Sequence, residues 1–250
     1  RAEVALKKQV LPASNLEGLE CFSRRCISLK ASLASRPVGI IAEHKRRSPS
    51  RAVINQGCQV AEVAKGYESA GAAGMSVLTD GKYFGGSLED LLLARASTDL
   101  PLLRKEFIVD TYQVTEAKAF GADAILLIAS VLSAREMASL CQEAHRLGLE
   151  VLLEVHNAAE LEKSLGAGAD LIGVNNRDLK TFKVDLDTSR ELVSRIPGSV
   201  GKVSESGLGQ AAQLQELKAL GFDGFLMGES FMKEEDPGGA LAALLNEMAL

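Results

Sequence analysis

The apolar residues of the chain gather in short runs rich in Val, Ile and Leu, with little alternation between apolar and polar positions. The runs occupy residues 38–43, 74–79, 100–107, 124–130, 149–155, 170–175, 199–206 and 224–230. A strand that is covered on both faces has this pattern, and such strands are typical of parallel sheet. The pattern therefore predicts eight buried parallel strands.

Amphipathic segments long enough for crossover helices separate these runs. They occupy residues 60–71, 87–97, 111–121, 133–148, 157–168, 186–198 and 211–221. Several end at Gly, as helix C-termini tend to. GADA at 121–124, GADLIG at 168–173 and GFDGF at 221–225 form a weak repeat with the period of one strand–helix unit. The order is that of an α/β fold.

The first 36 residues stand outside this repeat, and we predict a helix around residues 18–33 that ends before Pro37. Without the extension and Pro37, 213 residues remain, about 27 for each of eight units, which suits one (β/α)8 TIM barrel. We therefore expect an N-terminal helical extension (1–36) and a catalytic barrel (37–250) in a single domain.

Composition and charge exclude several classes of protein. With 46% hydrophobic residues the chain is folded, and a net charge of −5 argues against a nucleic-acid partner. No apolar run reaches the ~18–20 residues of a membrane span, and no signal-peptide core is visible, so we expect a cytoplasmic protein. The four cysteines lack a CxxC pair and the three histidines lie far apart, so we expect no metal site.

Polar residues stand where the predicted strands end. Among them are Glu43, Lys45, Lys105, Glu154, Asn175 and Glu205. The C-terminal ends of barrel strands converge on one rim, where such side chains would face a common pocket. A single charged residue at a strand end can be a solvated loop residue, but this interpretation does not explain the whole group of strand-end residues. Lysines beside carboxylates are suited to bind an anionic ligand and to transfer protons.

Two glycine-containing turns suggest a phosphate site. SESG at 204–207 and MGES at 227–230 follow the seventh and eighth strands, whose loops often bind phosphate in such barrels. At Gly207 and Gly228 the backbone N–H groups can approach an anion closely. The alternative is a pair of ordinary turns.

For other candidate site residues, the sequence leaves two interpretations open. Phe84 and Phe107 can cover an aromatic substrate or pack beneath a loop. Arg177 suits a carboxylate, or pairs with a nearby aspartate. His44 is expected to turn away from the face of Glu43, and His156 to begin the next helix.

The motifs resemble those of the indole-3-glycerol-phosphate synthase family, in the family's order, from about residue 36 to the end. The matching segments are IIAEHKRRSPS, SVLTDGKYFGGSLEDL, PLLRKEFIVDTYQ, GADAILLIA, LEVLLEVHN, DLIGVNNRDLKTFKVDL, VSESGL and FLMGESFM. The resemblance implies a lyase of tryptophan biosynthesis. It would convert 1-(2-carboxyphenylamino)-1-deoxyribulose 5-phosphate into indole-3-glycerol phosphate, CO₂ and water, without a cofactor.

The resemblance also implies roles for the residues. Lys105 would be the general acid of ring closure, Lys45 would hold the substrate carboxylate and assist, Glu154 would transfer a proton during dehydration, and Glu43 would orient the lysines. The remaining implied site residues are Asn175 and Ser206 (catalytic), Ser48, Phe84, Phe107, Arg177 and Glu205 (substrate), and Gly207, Gly228 and Glu229 (phosphate).

Rival functions and departures from the family stay open. A phosphosugar isomerase on the same barrel would want a Cys/Asp pair at strand ends, and no Cys lies there. A non-catalytic barrel that binds a phosphorylated ligand is the other alternative.

The chain departs from the family pattern at three places. The loop SPSRAVINQG lacks a usual Gly, His44 replaces an apolar residue, and Glu106 stands where Asp is frequent. We expect a monomer, with at most weak association with other tryptophan-pathway enzymes.

Overall fold

The eight predicted strands are present and close into a barrel. The computed structural model describes residues 1–48, 53–55 and 57–249. The strands are β1 (Gly39–His44), β2 (Gly74–Leu78), β3 (Leu102–Lys105), β4 (Ala124–Ile128), β5 (Glu150–Val155), β6 (Leu171–Asn175), β7 (Gly201–Glu205) and β8 (Gly224–Met227). They pair in parallel in chain order, and β8 pairs with β1. The prediction of a (β/α)8 barrel is confirmed.

Helices surround the barrel and precede it. In the described part of the chain they are α1 (Ala2–Val10), α2 (Ala13–Leu16), α3 (Leu29–Ala34), α4 (Val60–Ala70), α5 (Leu88–Arg95), α6 (Thr111–Ala119), α7 (Ala134–Arg146), α8 (Ala158–Ser164), α9 (Asp187–Leu192), α10 (Ala211–Ala219), α11 (Glu229–Met232) and α12 (Pro237–Met248). Each amphipathic segment of the sequence contains one of α4 to α10. The eighth strand is shorter than predicted because α11 begins at Glu229. Within the described ranges, no helix has the length and apolar character needed to cross a membrane.

Each strand buries both faces, which explains the continuous apolar runs. In β4, Leu126 and Ile128 point into the barrel, whereas Ile125 and Leu127 pack against the helices. The barrel interior and the layer between sheet and helices thus form two separate apolar cores. The alternation of side chains along each strand places every second residue in each core.

Two leucines of α3 close the N-terminal end of the barrel. Leu29 and Leu33 are fully buried among the inward-facing strand residues. Three strands that begin with glycine, β1, β2 and β8, lie against them. A Cβ added at Gly74 would lie 2.5 Å from Leu29 Cδ1, and one at Gly39 would lie 2.8 Å from Leu33 Cδ2. The missing side chains therefore provide the space that the two leucines fill.

The predicted continuous helix over residues 18–33 is wrong. A short 3₁₀-helix (Glu20–Ser23) and α3 are separated by an extended segment that begins at Arg24. Asp123, buried immediately before β4, accepts hydrogen bonds from Arg24 Nη2 (2.5 Å) and from the backbone N–H of Ile27 (2.7 Å). In a helix, the Ile27 N–H would donate to a carbonyl of the preceding turn and could not donate to Asp123. The hydrogen bonds to Asp123 therefore hold the segment extended.

We predict that Leu33→Ala lowers the free energy of unfolding by about 2–5 kcal/mol, because it removes a buried side chain and leaves a cavity. The measurement is urea-induced unfolding followed by circular dichroism. Leu93→Ala is the matched control, since Leu93 on α5 is 52% exposed and its truncation should change the free energy by less than about 0.5 kcal/mol. Equal stabilities for the two variants would contradict this role for Leu33.

Candidate active site

The strand-end residues meet in one cavity at the C-terminal end of the barrel. Of the predicted site residues, those that line it are Glu43, Lys45, Ser48, Phe84, Lys105, Phe107, Glu154, Asn175, Arg177, Ser206, Gly207, Gly228 and Glu229. Glu205 lies behind the cavity wall and contacts the side chain of Lys105. The convergence that the barrel topology predicts therefore brings the whole set together, from strands that are far apart in the chain.

A chain of alternating charges forms the centre of the site. The Nζ atom of Lys105 lies 3.1 Å from Oε2 of Glu43 and 3.2 Å from Oε2 of Glu205. The other oxygen of Glu43, Oε1, lies 2.5 Å from Nζ of Lys45. Both carboxylates are buried. The order Lys45, Glu43, Lys105, Glu205 thus runs across the cavity floor, and each ion has an opposite charge beside it.

These ion pairs keep Glu43 and Lys105 charged. Burial by itself would raise the pKa of Glu43, but the ammonium groups of Lys105 and Lys45 outweigh this effect and hold the pKa at about 2. Burial by itself would lower the pKa of Lys105, but Glu43, Glu205 and Glu154 outweigh it and raise the pKa above its ordinary value. Lys105 is therefore an ammonium ion at neutral pH.

Glu205 differs from the other two carboxyl groups that face Lys105. Burial raises the pKa of Glu205 to about 7; Lys105 opposes this rise, while the negative charges of Glu154 and Glu43 add to it. A Cβ at Gly173 would overlap the Glu205 carboxylate, so this glycine on β6 provides its space. At neutral pH Glu205 can both hold and release a proton.

Glu154 on β5 is buried on the opposite side of the cavity from Glu43. Burial would raise its pKa, but His156 and Lys105 outweigh burial and lower it, with Asn175 contributing a further hydrogen bond. Sequence reasoning predicted Glu154 and Asn175 but treated His156 as the start of the next helix. Its spacing of two residues from Glu154 gave no signal of a contact, because β5 ends between them.

An exposed hairpin after β6 carries Arg177. Arg177 pairs with Val184 in an isolated antiparallel bridge, and its Nη1 donates to the carbonyl of Phe182 (3.2 Å). The alternative interpretation, a salt bridge from Arg177 to Asp178 or Asp185, is not formed among the described residues, where Nη1 donates to Phe182 instead. The guanidinium group therefore lines the cavity with capacity for a further acceptor.

Aromatic and aliphatic side chains form the apolar wall. The rings of Phe84 and Phe107 lie 6.2 Å apart, and Phe107 also makes an edge contact with Tyr83. The rings contact each other and line the cavity, and their role as a cover for an aromatic substrate stays a prediction. The sequence did not single out the aliphatic part of the wall: Leu78, Leu126, Ile128, Leu179, Leu208 and Leu226. Their inward positions on the strands were the available signal for Leu126, Ile128 and Leu226.

The loops after β7 and β8 form the polar end of the cavity. Ser206 and Gly207 both have positive φ (67° and 76°), so the chain turns sharply after Glu205. Next to Gly228, the hydroxyl of Ser230 is buried, and no hydrogen-bond partner for it is found in the described part of the chain. Ser230 lines the cavity as the last residue of the predicted MGES turn, but the sequence did not single it out as a site residue.

Of the residues that depart from the family pattern, His44 lies outside the cavity and Glu106 lines it. His44 is buried on the outer face of β1, away from Glu43, near Arg46 and Asp90. The expectation that His44 turns away from the site is therefore confirmed. Glu106 lines the cavity and accepts a hydrogen bond from Thr79 Oγ1 (2.9 Å). The predicted change in the SPSRAVINQG loop lies largely outside the described residues.

Solved structures of low sequence identity share the fold. Thiamine phosphate pyrophosphorylase from Pyrococcus furiosus matches with a TM-score of 0.65 and 17% identity, covering 89% of this chain and 98% of that protein. 3-Hexulose-6-phosphate synthase from Salmonella typhimurium matches with a TM-score of 0.65 and 14% identity, covering 84% and 100%. At these identities the similarity concerns the barrel alone.

Sequence comparison is far more specific. The family model described as indole-3-glycerol phosphate synthase matches residues 1–244. The indole-3-glycerol phosphate synthase of Bacteroides thetaiotaomicron is 47% identical over 247 residues, which cover 98% of this chain and 94% of that protein. That of Azoarcus sp. is 49% identical over 213 residues, covering 84% and 80%. The chain belongs to the indole-3-glycerol phosphate synthase family.

Proposed function

We propose that the chain catalyses the reaction of its family, the conversion of 1-(2-carboxyphenylamino)-1-deoxyribulose 5-phosphate into indole-3-glycerol phosphate, CO₂ and water. The observation on which this proposal rests is the buried Lys105 ammonium, surrounded by carboxylates and open to a cavity with an aromatic wall. Ring closure of this substrate needs an acid inside an apolar pocket, and the later dehydration needs an acid and a base.

Lys105 is suited to be the acid of ring closure. The aromatic carbon that bears the carboxyl group attacks the ketone, and the ketone oxygen becomes an alkoxide that must receive a proton. Glu43 and Glu205 raise the pKa of Lys105, so the group is protonated before the reaction. An alkoxide is far more basic than an amine, so proton transfer from Lys105 remains favourable as the bond forms.

Lys45 is placed to hold the substrate carboxylate. Its Nζ lies at the cavity wall, 2.5 Å from Glu43 Oε1, and its side chain is 18% exposed. An ammonium group that already contacts one carboxylate can exchange it for a second one that enters from solvent. The anthranilate nitrogen supplies electrons through the ring for the attack on the ketone. When CO₂ leaves, the electron pair of the broken C–C bond restores the aromatic ring.

We assign the remaining residues by their places in the cavity. Glu154 is the base of dehydration, because it is ionised and faces Lys105 across the cavity. Phe84 and Phe107 cover the aromatic ring of the substrate. Polar contacts to the substrate are assigned to Asn175, Ser206, Arg177 and Ser48, which line the cavity. Glu205, predicted as a substrate-binding residue, lies behind the wall and is assigned a role through its contact with Lys105.

The phosphate group is assigned to the loops after β7 and β8. There the backbone N–H groups at Gly207, Gly228 and Glu229 can bind an anion without a charged side chain. The buried hydroxyl of Ser230 supports this assignment, because a phosphate oxygen would satisfy it. Since Glu229 is acidic, its contribution to phosphate binding is a backbone one.

A phosphosugar isomerase is not favoured by the cavity. That chemistry wants a cysteine beside an aspartate, and none of the four cysteines lines the cavity among the described residues. A non-catalytic barrel that only binds a phosphorylated ligand does not account for Lys105, a buried ammonium group that is costly to bury and is held by carboxylates at the cavity.

We also infer a monomer in the cytoplasm, with at most weak association with other enzymes of tryptophan biosynthesis. This inference is supported by the composition of the cavity, because one chain provides every group assigned to the reaction. The net charge of −5 argues against a nucleic-acid partner, and Lys45, Lys105 and Arg177 line the cavity as groups that can receive a small anionic substrate.

We predict that Lys105→Ala lowers kcat by at least about 10²-fold, the ordinary contribution of a general acid. The measurement is indole fluorescence after incubation of the purified protein with the carboxyphenylamino-deoxyribulose phosphate. Lys65→Ala is the matched control, since Lys65 lies on the exposed face of α4. No product from the folded wild-type chain would refute the proposed function, whereas unchanged turnover in Lys105→Ala would refute only the assigned acid.

We predict that Gly228→Ala lowers kcat/KM by about 10²-fold, as a displacement of about 1 Å in a catalytic group can do. A Cβ at position 228 would lie 2.8 Å from both Cβ and Oε1 of Glu43, so Glu43 must move away from the lysines. Gly209→Ala is the control, because a Cβ there meets only Ser230 Cβ, at 4.0 Å. Equal kcat/KM values for the two variants would show that the position of Glu43 is unimportant.

A further inference from the structure

A histidine lies between the cavity and a second carboxylate on the outside of the barrel. The Nε2 atom of His156 is 3.3 Å from Oε1 of Glu154, and its Nδ1 atom is 3.1 Å from Oε2 of Glu160. The approach at Nε2 is an ion-pair contact and not a well-aligned hydrogen bond. The His156 side chain is only 10% exposed. Glu154, His156 and Glu160 thus form a carboxylate–imidazole–carboxylate series that begins in the active site.

The local sequence fixes Glu160 in this place. Asn157 caps α8, and its Oδ1 accepts a hydrogen bond from the Glu160 N–H (3.0 Å). Its Nδ2 donates to Oε1 of Glu160 (3.0 Å), while the backbone N–H of His156 donates to Oε2 (2.9 Å). A carboxylate in the first turn of a helix is also stabilised by the helix dipole. Glu160 is therefore a fixed anion against which the imidazole is oriented.

The charges around Glu154 and His156 come from three elements, α8, β3 and β7. Glu160 and Lys163 lie on α8, and Lys163 donates to the carbonyls of Ala129 and Leu132. Lys105 on β3 attracts Glu154, and Glu205 on β7 repels it. Burial would lower the pKa of His156, but the two adjacent carboxylates raise it to about 9. Two anions facing one ring therefore favour the imidazolium form at neutral pH.

We propose that His156 is a positioning residue that acts through Glu154: as an imidazolium held by Glu160, it keeps Glu154 ionised and oriented as the base of the dehydration step. This inference rests on the proposed function. Burial is the largest influence on Glu154 and favours its neutral form. A buried carboxyl group next to Glu205 needs a second cation besides Lys105 to remain a carboxylate, and His156 is that cation.

The step that depends on His156 is the loss of water from the hydroxyindoline that follows decarboxylation. Glu154 removes a proton from the ring CH₂ group, the C–H electron pair forms the new C=C bond, and the neighbouring hydroxyl leaves as water after it receives a proton from an acid. His156 keeps both of its ring protons throughout. It contacts the base and not the substrate, consistent with its absence from the cavity lining in the described part of the chain.

The test is the pH dependence of kcat for His156→Gln. Removal of the positive charge raises the pKa of Glu154, and Glu154 is active only above its pKa. The acidic limb of the profile should therefore move to higher pH by about 1–3 units, the effect of one adjacent opposite charge. Below the new pKa, kcat falls about tenfold per pH unit, while KM stays within about twofold. Glu160→Gln should move the limb in the same direction by less.

His145→Gln is the matched control, because His145 pairs with Asp170 on the outer surface and is 44% exposed. It should reproduce the wild-type profile. A structural defect would lower kcat at every pH without moving the limb, so an unmoved limb in His156→Gln overturns the proposal. If the wild-type chain forms no indole product, the proposed function fails instead, and the two failures are distinguishable.

A second measurement needs no folded variant at position 156. In the wild-type protein, ¹⁵N chemical shifts of the three histidines report the protonation of each ring, with His145→Gln assigning one of them. The proposal requires a doubly protonated His156 ring at pH 7.5. A neutral ring at that pH would overturn it.

Discussion

The site depends on the burial of one ammonium group, that of Lys105, inside the barrel. A buried cation is costly unless it is paired, and Lys105 obtains its partners from Glu43 on β1 and Glu205 on β7. Glu43 in turn contacts Lys45. Because β1, β3 and β7 are not neighbours in the sheet, these pairs form only when the barrel is closed and every strand is in register. The electrostatics of the site and the topology of the fold therefore support each other.

The strands divide the barrel interior into a stabilising layer and a reactive layer. Ile41 lies two residues before Glu43, Leu103 before Lys105, and Leu152 before Glu154, so each charged residue points inward directly above an apolar one. The leucines of α3 close the other end beneath this apolar layer. Water is thus excluded from below, and the charged groups meet solvent only through the cavity, where the effective dielectric is low and ion pairs are strong.

The sequence predicts what depends on local pattern, and it misses what depends on distant partners. Strands buried on both faces and Gly-terminated helices are visible along the chain, and barrel geometry then places Lys105 and Glu154 on one rim. By contrast, the break in the predicted helix over residues 18–33 depends on Asp123, about a hundred residues away. Arg104 is fully buried because it pairs with Glu116 on α6, 2.6 Å away. The pattern of apolar and polar residues along the chain predicts neither of these two contacts.

In the proposed mechanism, Glu43 connects substrate binding to the acid, because its two oxygens contact two different lysines. Oε1 contacts Lys45 and Oε2 contacts Lys105. A substrate carboxylate that binds Lys45 competes with Oε1 for the same ammonium group, and the charge of Glu43 is then balanced by Lys105 alone. The ion pair between Glu43 and Lys105 then becomes stronger and favours the protonated form of Lys105. An alkoxide that develops beside Lys105 is a stronger base than either carboxylate and takes the proton. Under the proposed mechanism, Lys105 therefore stays protonated while the substrate binds and gives up its proton only as the ring closes.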